Sequence, residues 1–396
     1  MKSQFRGFLF EAKHLTGLLV AVATVAVFLY MGVGAVAQSK STLSALPPTP
    51  QAPKDNPTTP AKVALGRLLF WDPLLSGPQD VACASCHNPQ NGYAEDRDLS
   101  LGVTAIGLGS KRRQAPGSSI PIVKRNSPTV LNIAFSGSDQ SGSYDPATAP
   151  MFWDMRVKSL EKQALEPLKA HEEMRGTTYK EDEAVASVVA KLQANAEYRS
   201  LFAGAFGSEQ PVNAENLGRA IAAFERTLLA NNSPFDRYMR GDRSAMTEEQ
   251  VSGMRRFESV GCVKCHNGPM FSDYKLHVMG VPDNPALPAS DDGAEKTYAF
   301  RTASLRNLAF TAPYEHNGMF RTLSNVVGFY EDARGGRSRN PNVSSEKLDP
   351  LIRELGDFDE EDVDLVEFLR ALSDDSFDRT IPERVPSGLP VGGKIQ

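Results

Sequence analysis

The chain opens with an unbroken run of apolar and small residues over positions 15–37, long enough to cross a bilayer. Lys2, Arg6 and Lys13 precede it, an order that leaves the rest of the chain outside the cytoplasm. Ala35-Val36-Ala37 also has the small-x-small form of a signal-peptidase site. Residues 1–37 are therefore expected as a transmembrane anchor or a signal peptide, and the length of the run favours the anchor. Residues 38–60 are rich in Pro, Ser and Thr without hydrophobic periodicity, and read as a flexible linker.

From residue 61 the pattern becomes helical. Positions 61–70 form a short amphipathic helix, and 160–168 and 183–192 carry helical spacing. Residues 213–230 give the clearest stripe, with Leu217, Ile221, Phe224 and Leu228 on one face. Thr247 with Gln250 forms a capping box for another helix. Asp359 is expected to cap a last helix, with Val363, Leu365, Val366, Phe368 and Leu369 as its apolar face. No strand-rich stretch occurs. Positions 98–126 and 136–150 are dominated by Gly, Ser and Pro and read as long loops, a length that often marks function.

Composition changes this picture little. With 396 residues, 41% hydrophobic and 23% charged, the chain has the make-up of a globular protein with room for two cores. The first 37 residues carry +2 of a total of −5, so the exported part stands at −7. That balance disfavours nucleic-acid binding; it suits docking of a basic electron donor, and equally plain solubility.

The four cysteines alter the reading completely. They form two copies of one pattern, Cys83-Ala84-Ser85-Cys86-His87 and Cys262-Val263-Lys264-Cys265-His266, with none left over. Cys-x-x-Cys-His attaches a c-type haem: both thiols bond the porphyrin and the histidine reaches the iron. A structural zinc site also uses paired Cys-x-x-Cys, but needs no histidine after each pair and rarely draws on ligands so far apart. Each motif follows a helix and is followed by Asn, a weak internal repeat. The fold class expected is mainly α: two cytochrome-c-like haem domains in tandem with long loops, over residues 61–236 and 237–396, behind the N-terminal segment. Two haems serve either pure electron relay or catalysis at an open iron, and the axial ligands decide. His14, His171, His277 and His316, with Met and Tyr side chains, are the remaining candidates.

Several segments, in order, resemble the bacterial di-haem cytochrome c peroxidases and their relative MauG. They are Leu65-Gly66-Arg67-Leu68-Leu69-Phe70, Arg125-Asn126-Ser127-Pro128-Thr129-Val130-Leu131-Asn132, Phe152-Trp153-Asp154 and Ser159-Leu160-Glu161-Lys162-Gln163-Ala164. Ser304-Leu305-Arg306-Asn307 and Thr311-Ala312-Pro313-Tyr314 complete the set.

The resemblance implies an exported oxidoreductase on the periplasmic side of the inner membrane, or in the periplasm if residues 1–37 are cleaved. It would reduce hydrogen peroxide at the N-terminal haem with electrons relayed through the C-terminal haem. Glu173 would be the acid–base group over the open iron and Gln163 would orient peroxide, whereas an ordinary Glu is a solvated charge. Trp153 would relay electrons between haems, or simply fill a core. Asn126, with the carbonyls of Thr311 and Pro313, matches a calcium site. The peroxidases cap the second iron with a methionine fourteen residues after the histidine of the Ala-Pro-Tyr segment; that count from His316 reaches Tyr330, as in MauG-like members. Met319 and Met279 are fallback ligands. His277 and His316 read as structural or propionate contacts, and His171 as a group outside the first shell of the iron. No histidine lies between His87 and His171, so the open iron is expected to be ready without reductive activation. Electrons would come from a small cytochrome c or other donor (peroxidase) or from a partner protein's side chains (MauG-like). A non-catalytic di-haem carrier is the alternative of another class.

Overall fold

The computed structural model describes residues 42–207 and 209–395. The apolar run at 15–37, with its anchor or signal reading, lies outside them; among the described residues no helix is long and apolar enough to cross a membrane. The helices of six residues or more are α1 (Pro60–Trp71), α2 (Ala184–Ala194), α3 (Ala196–Phe206), α4 (Ala214–Glu225), α5 (Pro234–Met239), α6 (Glu248–Ser259), α7 (Leu323–Arg334) and α8 (Val363–Ala371). Long irregular segments join them, with three two-residue antiparallel strand pairs: Ala105–Ile106 with Arg113–Gln114, Pro150–Met151 with Val157–Lys158, and Leu276–His277 with Phe300–Arg301.

Two helix crossings organise the cores. Thr59 caps α1, its side chain accepting from the Lys62 amide, and Leu65 and Leu69 then meet Leu217 and Ile221 of α4 in one buried cluster. Gly66 sits at that crossing: a Cβ there would fall 2.0 Å from the Ala220 carbonyl oxygen. The second crossing repeats the device. Thr247 and Gln250 cap α6 reciprocally, and a Cβ on Gly253 would fall 1.9 Å from the Asp364 carbonyl oxygen of α8. Around it Phe235, Phe257, Phe271 and Phe368 pack edge to face, at ring distances from 5.1 Å.

Several local expectations shift. Positions 160–168 yield only the turn Leu160–Gln163, and the helix expected over 213–230 ends at Glu225, although Leu228 is still buried. Asp362, not Asp359, caps α8, because its side chain reaches the Leu365 amide; Val363 then faces outward, 66% exposed. The described part of the supposed linker is docked: Leu43 and Leu46 are buried, and Asp236 Oδ1 accepts from the Leu46 amide at 2.9 Å. Hydrogen bonds from Arg240 to the Leu46 carbonyl and from Asn231 to the Pro47 carbonyl hold it as well. The C-terminal tail crosses the expected division at 236/237. Phe377 and Val385 pack with Phe70, Trp71 and Tyr93, and Trp71 O accepts from the Gly392 amide at 2.8 Å.

Candidate functional site

Each Cys-x-x-Cys-His motif lines its own cavity, of about 380 Å³ around His87 and about 250 Å³ around His266. The two are built alike. Asn88 and Asn267, just after the motifs, donate back to the carbonyls of Ala84 and Val263. His87 Nδ1 meets the Tyr93 carbonyl at 3.1 Å and His266 Nδ1 the Phe271 carbonyl at 3.0 Å. Tyr93 and Phe271 both take left-handed backbone angles (φ 56° and 52°), which turns their carbonyls inward. A carbonyl at Nδ1 favours the Nδ1–H tautomer and leaves Nε2 without a proton, while burial pushes both imidazoles toward the neutral form. The four thiols are all unbridged. Two thiols and a neutral, oriented imidazole at one large apolar cavity fit a covalent haem in each place.

Glu173, Gln163 and Trp153 all line the N-terminal cavity. Glu173 lies in a turn, His171–Arg175, closed by bonds five residues apart (Gly176 N to His171 O, 3.1 Å). That turn rests on Gly102, where a Cβ would come within 2.2 Å of the Glu173 carbonyl oxygen, and Val103 N donates to the same oxygen at 2.9 Å. Burial, reinforced by the neighbouring Glu172 charge, lifts the Glu173 carboxyl to about 7. His171 does not line this cavity, in which His87 is the one histidine among the described residues.

In the C-terminal cavity Tyr330, on α7, lies across from His266, ring centroids 6.5 Å apart at 65°. Burial pushes its phenol well above the usual range. Met279 lines this cavity and Met319 does not. His277 is held by Asp273 (3.2 Å) and Asp349 (2.7 Å); Asp273 first, then the neighbouring Cys265 thiol and Asp349, raise it above the usual imidazole range. His316 stacks on Phe300 at 3.6 Å, and its carbonyl accepts from the Asn126 amide at 2.7 Å. Asn126, Thr311 and Pro313 all line the C-terminal cavity; Asn126 Nδ2 donates to the Arg97 carbonyl at 2.9 Å.

Trp153 belongs to the walls of both cavities, its Nε1 donating to the Asn126 carbonyl at 3.0 Å. Arg301 is likewise common to both walls. It went unnoticed in sequence, as did Glu225 and Glu315. Glu225 is buried on the N-terminal cavity and burial pushes it to about 8; burial lifts Glu315, on the C-terminal cavity, to about 7. Nothing local marks any of them, since each acquires its surroundings from distant segments.

Residues 60–244 match the family described as di-haem cytochrome c peroxidase. The chain is 36% identical to the methylamine utilization protein MauG of Methylorubrum extorquens, over 84% of this chain and 83% of the relative. It is 33% identical to the cytochrome c551 peroxidase of Pseudomonas aeruginosa, over 73% of this chain and 77% of the relative. The solved structure of a MauG-like protein associated with microbial copper homeostasis superposes with a TM-score of 0.66 at 28% identity, covering 84% of this chain and 95% of that one.

Proposed function

This chain belongs to the di-haem cytochrome c peroxidase family, which includes MauG, and on that premise we propose that it reduces hydrogen peroxide to water at the cavity of His87, with electrons relayed through the cavity of His266. The observation that carries this reading is Glu173: a carboxyl lifted to about 7 on the wall of a haem cavity that offers no second histidine among the described residues.

When bound, the haems supply the electrons and the metal to which peroxide binds. With the haem bound, Glu173 would carry a proton from one peroxide oxygen to the other, which makes water the leaving group. Gln163 orients peroxide by hydrogen bonding. Trp153, clamped by its bond to the Asn126 carbonyl, passes electrons across the common wall. Tyr330, which faces His266 across the cavity, would supply the haem there with a hard anionic oxygen that favours high oxidation states. Asn126 Oδ1 and the carbonyls of Thr311 and Pro313, which line one cavity, would hold a calcium ion, a donor set of oxygens alone that suits it. The body is exported, tethered to the inner membrane or free in the periplasm, and a small cytochrome c or similar donor restores its electrons.

Tyr330 also favours a second reading, in which peroxide drives oxidation of a partner protein's side chains, as the MauG likeness suggests. The test is a peroxide titration of the purified ferric protein, followed by absorption and electron paramagnetic resonance. A high-spin signal that peroxide abolishes is expected. Donor assays then separate the readings: turnover with reduced cytochrome c supports the peroxidase, and peroxide reactivity without donor turnover supports the modifying enzyme. Two low-spin haems whose spectra ignore peroxide would make the protein an electron carrier.

A further inference from the structure

Two porphyrins bring four carboxylates into this protein, and the shared wall holds one cation placed to meet them. Each haem is bonded through its vinyl edge to cysteines, which places its propionates on the opposite edge. No cysteine belongs to the wall common to both cavities, whereas Arg301 and Trp153 do. Arg301 is fixed there by its backbone, its amide donating to the Trp153 carbonyl at 2.7 Å.

The other basic side chains of the two walls are committed or exposed. Arg125 pairs with Asp154 and Asp291, each at 2.6 Å, and Arg156 with Asp154 at 2.8 Å. Lys264 pairs with Glu354 at 2.7 Å and Arg306 with Asp236 at 2.8 Å; Lys124 is exposed. Arg301 pairs with no carboxylate among the described residues, and its buried Nε has no hydrogen-bond partner. Its nearest compensation is the Tyr274 ring, 5.5 Å from the guanidinium carbon. Burial accordingly pushes the guanidinium down from the usual arginine range. Arg301 is half-buried, its Nε closed off from solvent and its guanidinium on the wall of both cavities; a cation held there without a carboxylate partner is unfavourable unless an anion meets it.

We propose that Arg301 is the common counter-ion of the two haems, its planar fork of donors binding propionates from both sides of the shared wall beside Trp153. This rests on the covalent attachment of two haems and not on peroxide chemistry. A positive charge at that point favours the reduced state of both irons, and ties their potentials to one residue.

The test is spectroelectrochemical titration of the full-length holoprotein and its Arg301→Gln and Arg301→Lys variants, with haem content measured by pyridine haemochrome. In Arg301→Gln both midpoint potentials should fall while two haems per chain are retained, and Arg301→Lys should recover most of each shift. Should the Gln variant lose haem, a smaller fall of both potentials in the Lys variant supports the assignment. Unchanged potentials, a shift confined to one haem, or a Lys variant no better than Gln would overturn it. A wild-type protein inert to peroxide but with Arg301-dependent potentials would remove the peroxidase reading and leave this one standing.

Discussion

At the scale of single residues, Glu173 makes the sharpest demand. Burial raises its carboxyl from the ordinary value to about 7, so the ionised form that can take a proton from peroxide is the minority below pH 7 and the majority above it. The second-order rate with peroxide should rise about tenfold per pH unit below that point and level off above it. Glu173→Gln should lose about 10²–10⁴-fold and flatten the profile, checked by stopped-flow absorbance across pH 5–9. Gly102 tests whether placement matters as well as presence. Its missing Cβ leaves room for the Glu172 and Glu173 carbonyls, 2.1 and 2.2 Å from where that carbon would lie. Gly102→Ala should push the turn away and slow peroxide by at least tenfold, a displacement that can cost about 10²-fold, with the carboxylate intact and both haems attached. A Gly102→Ala protein with the parental rate would separate this glycine from the chemistry.

At the scale of elements, the two haem-bearing halves share a construction: a helix that leads into the motif is crossed by a later helix at a glycine. Alanine for glycine within an exposed helix gains about 0.5–1 kcal/mol. Here the sign reverses, because the new Cβ of Gly66→Ala would strike the Ala220 carbonyl and that of Gly253→Ala the Asp364 carbonyl. Each substitution should destabilise by about 1–3 kcal/mol, measured by denaturant unfolding of the holoprotein. Loss should be similar at the two sites. The cap of α8 illustrates what spacing alone leaves ambiguous: Asp359 and Asp362 both precede the apolar run, and only the approach of the chain decides that Asp362 reaches the Leu365 amide. The capping box of α6 was legible because both partners lie within four residues.

At the scale of the whole molecule, the two ends of the described chain cross over. Leu43 lies in the core that surrounds α6 and α8, and Leu46 packs with Phe135 and Met270, its amide donating to Asp236, which pairs with the fully buried Arg306. The tail from Phe377 to Gly392 lies on the core beside α1. Burial of Leu43 and Leu46 contributes about 1.5–3 kcal/mol each. An exported variant lacking residues 42–56 should therefore melt lower than one beginning at Thr42, by about 2–4 °C per kcal/mol lost, in a calorimetric scan. Equal melting temperatures would mean that the strap adds nothing. By itself the sequence determined what is local or covalent: two Cys-x-x-Cys-His motifs, the amphipathic stripes and one reciprocal cap, because each needs only neighbours along the chain. The placement of Trp153, Gln163 and Glu173 was legible only through likeness to a family whose motifs recur here in order. Tertiary structure alone decided that Trp153 and Arg301 share a wall, that Gly102 supports Glu173, and that the supposed linker is part of the core. Those facts depend on segments tens to hundreds of residues apart meeting within a few ångströms, and the burial that raises the Glu173 carboxyl exists only once they have met.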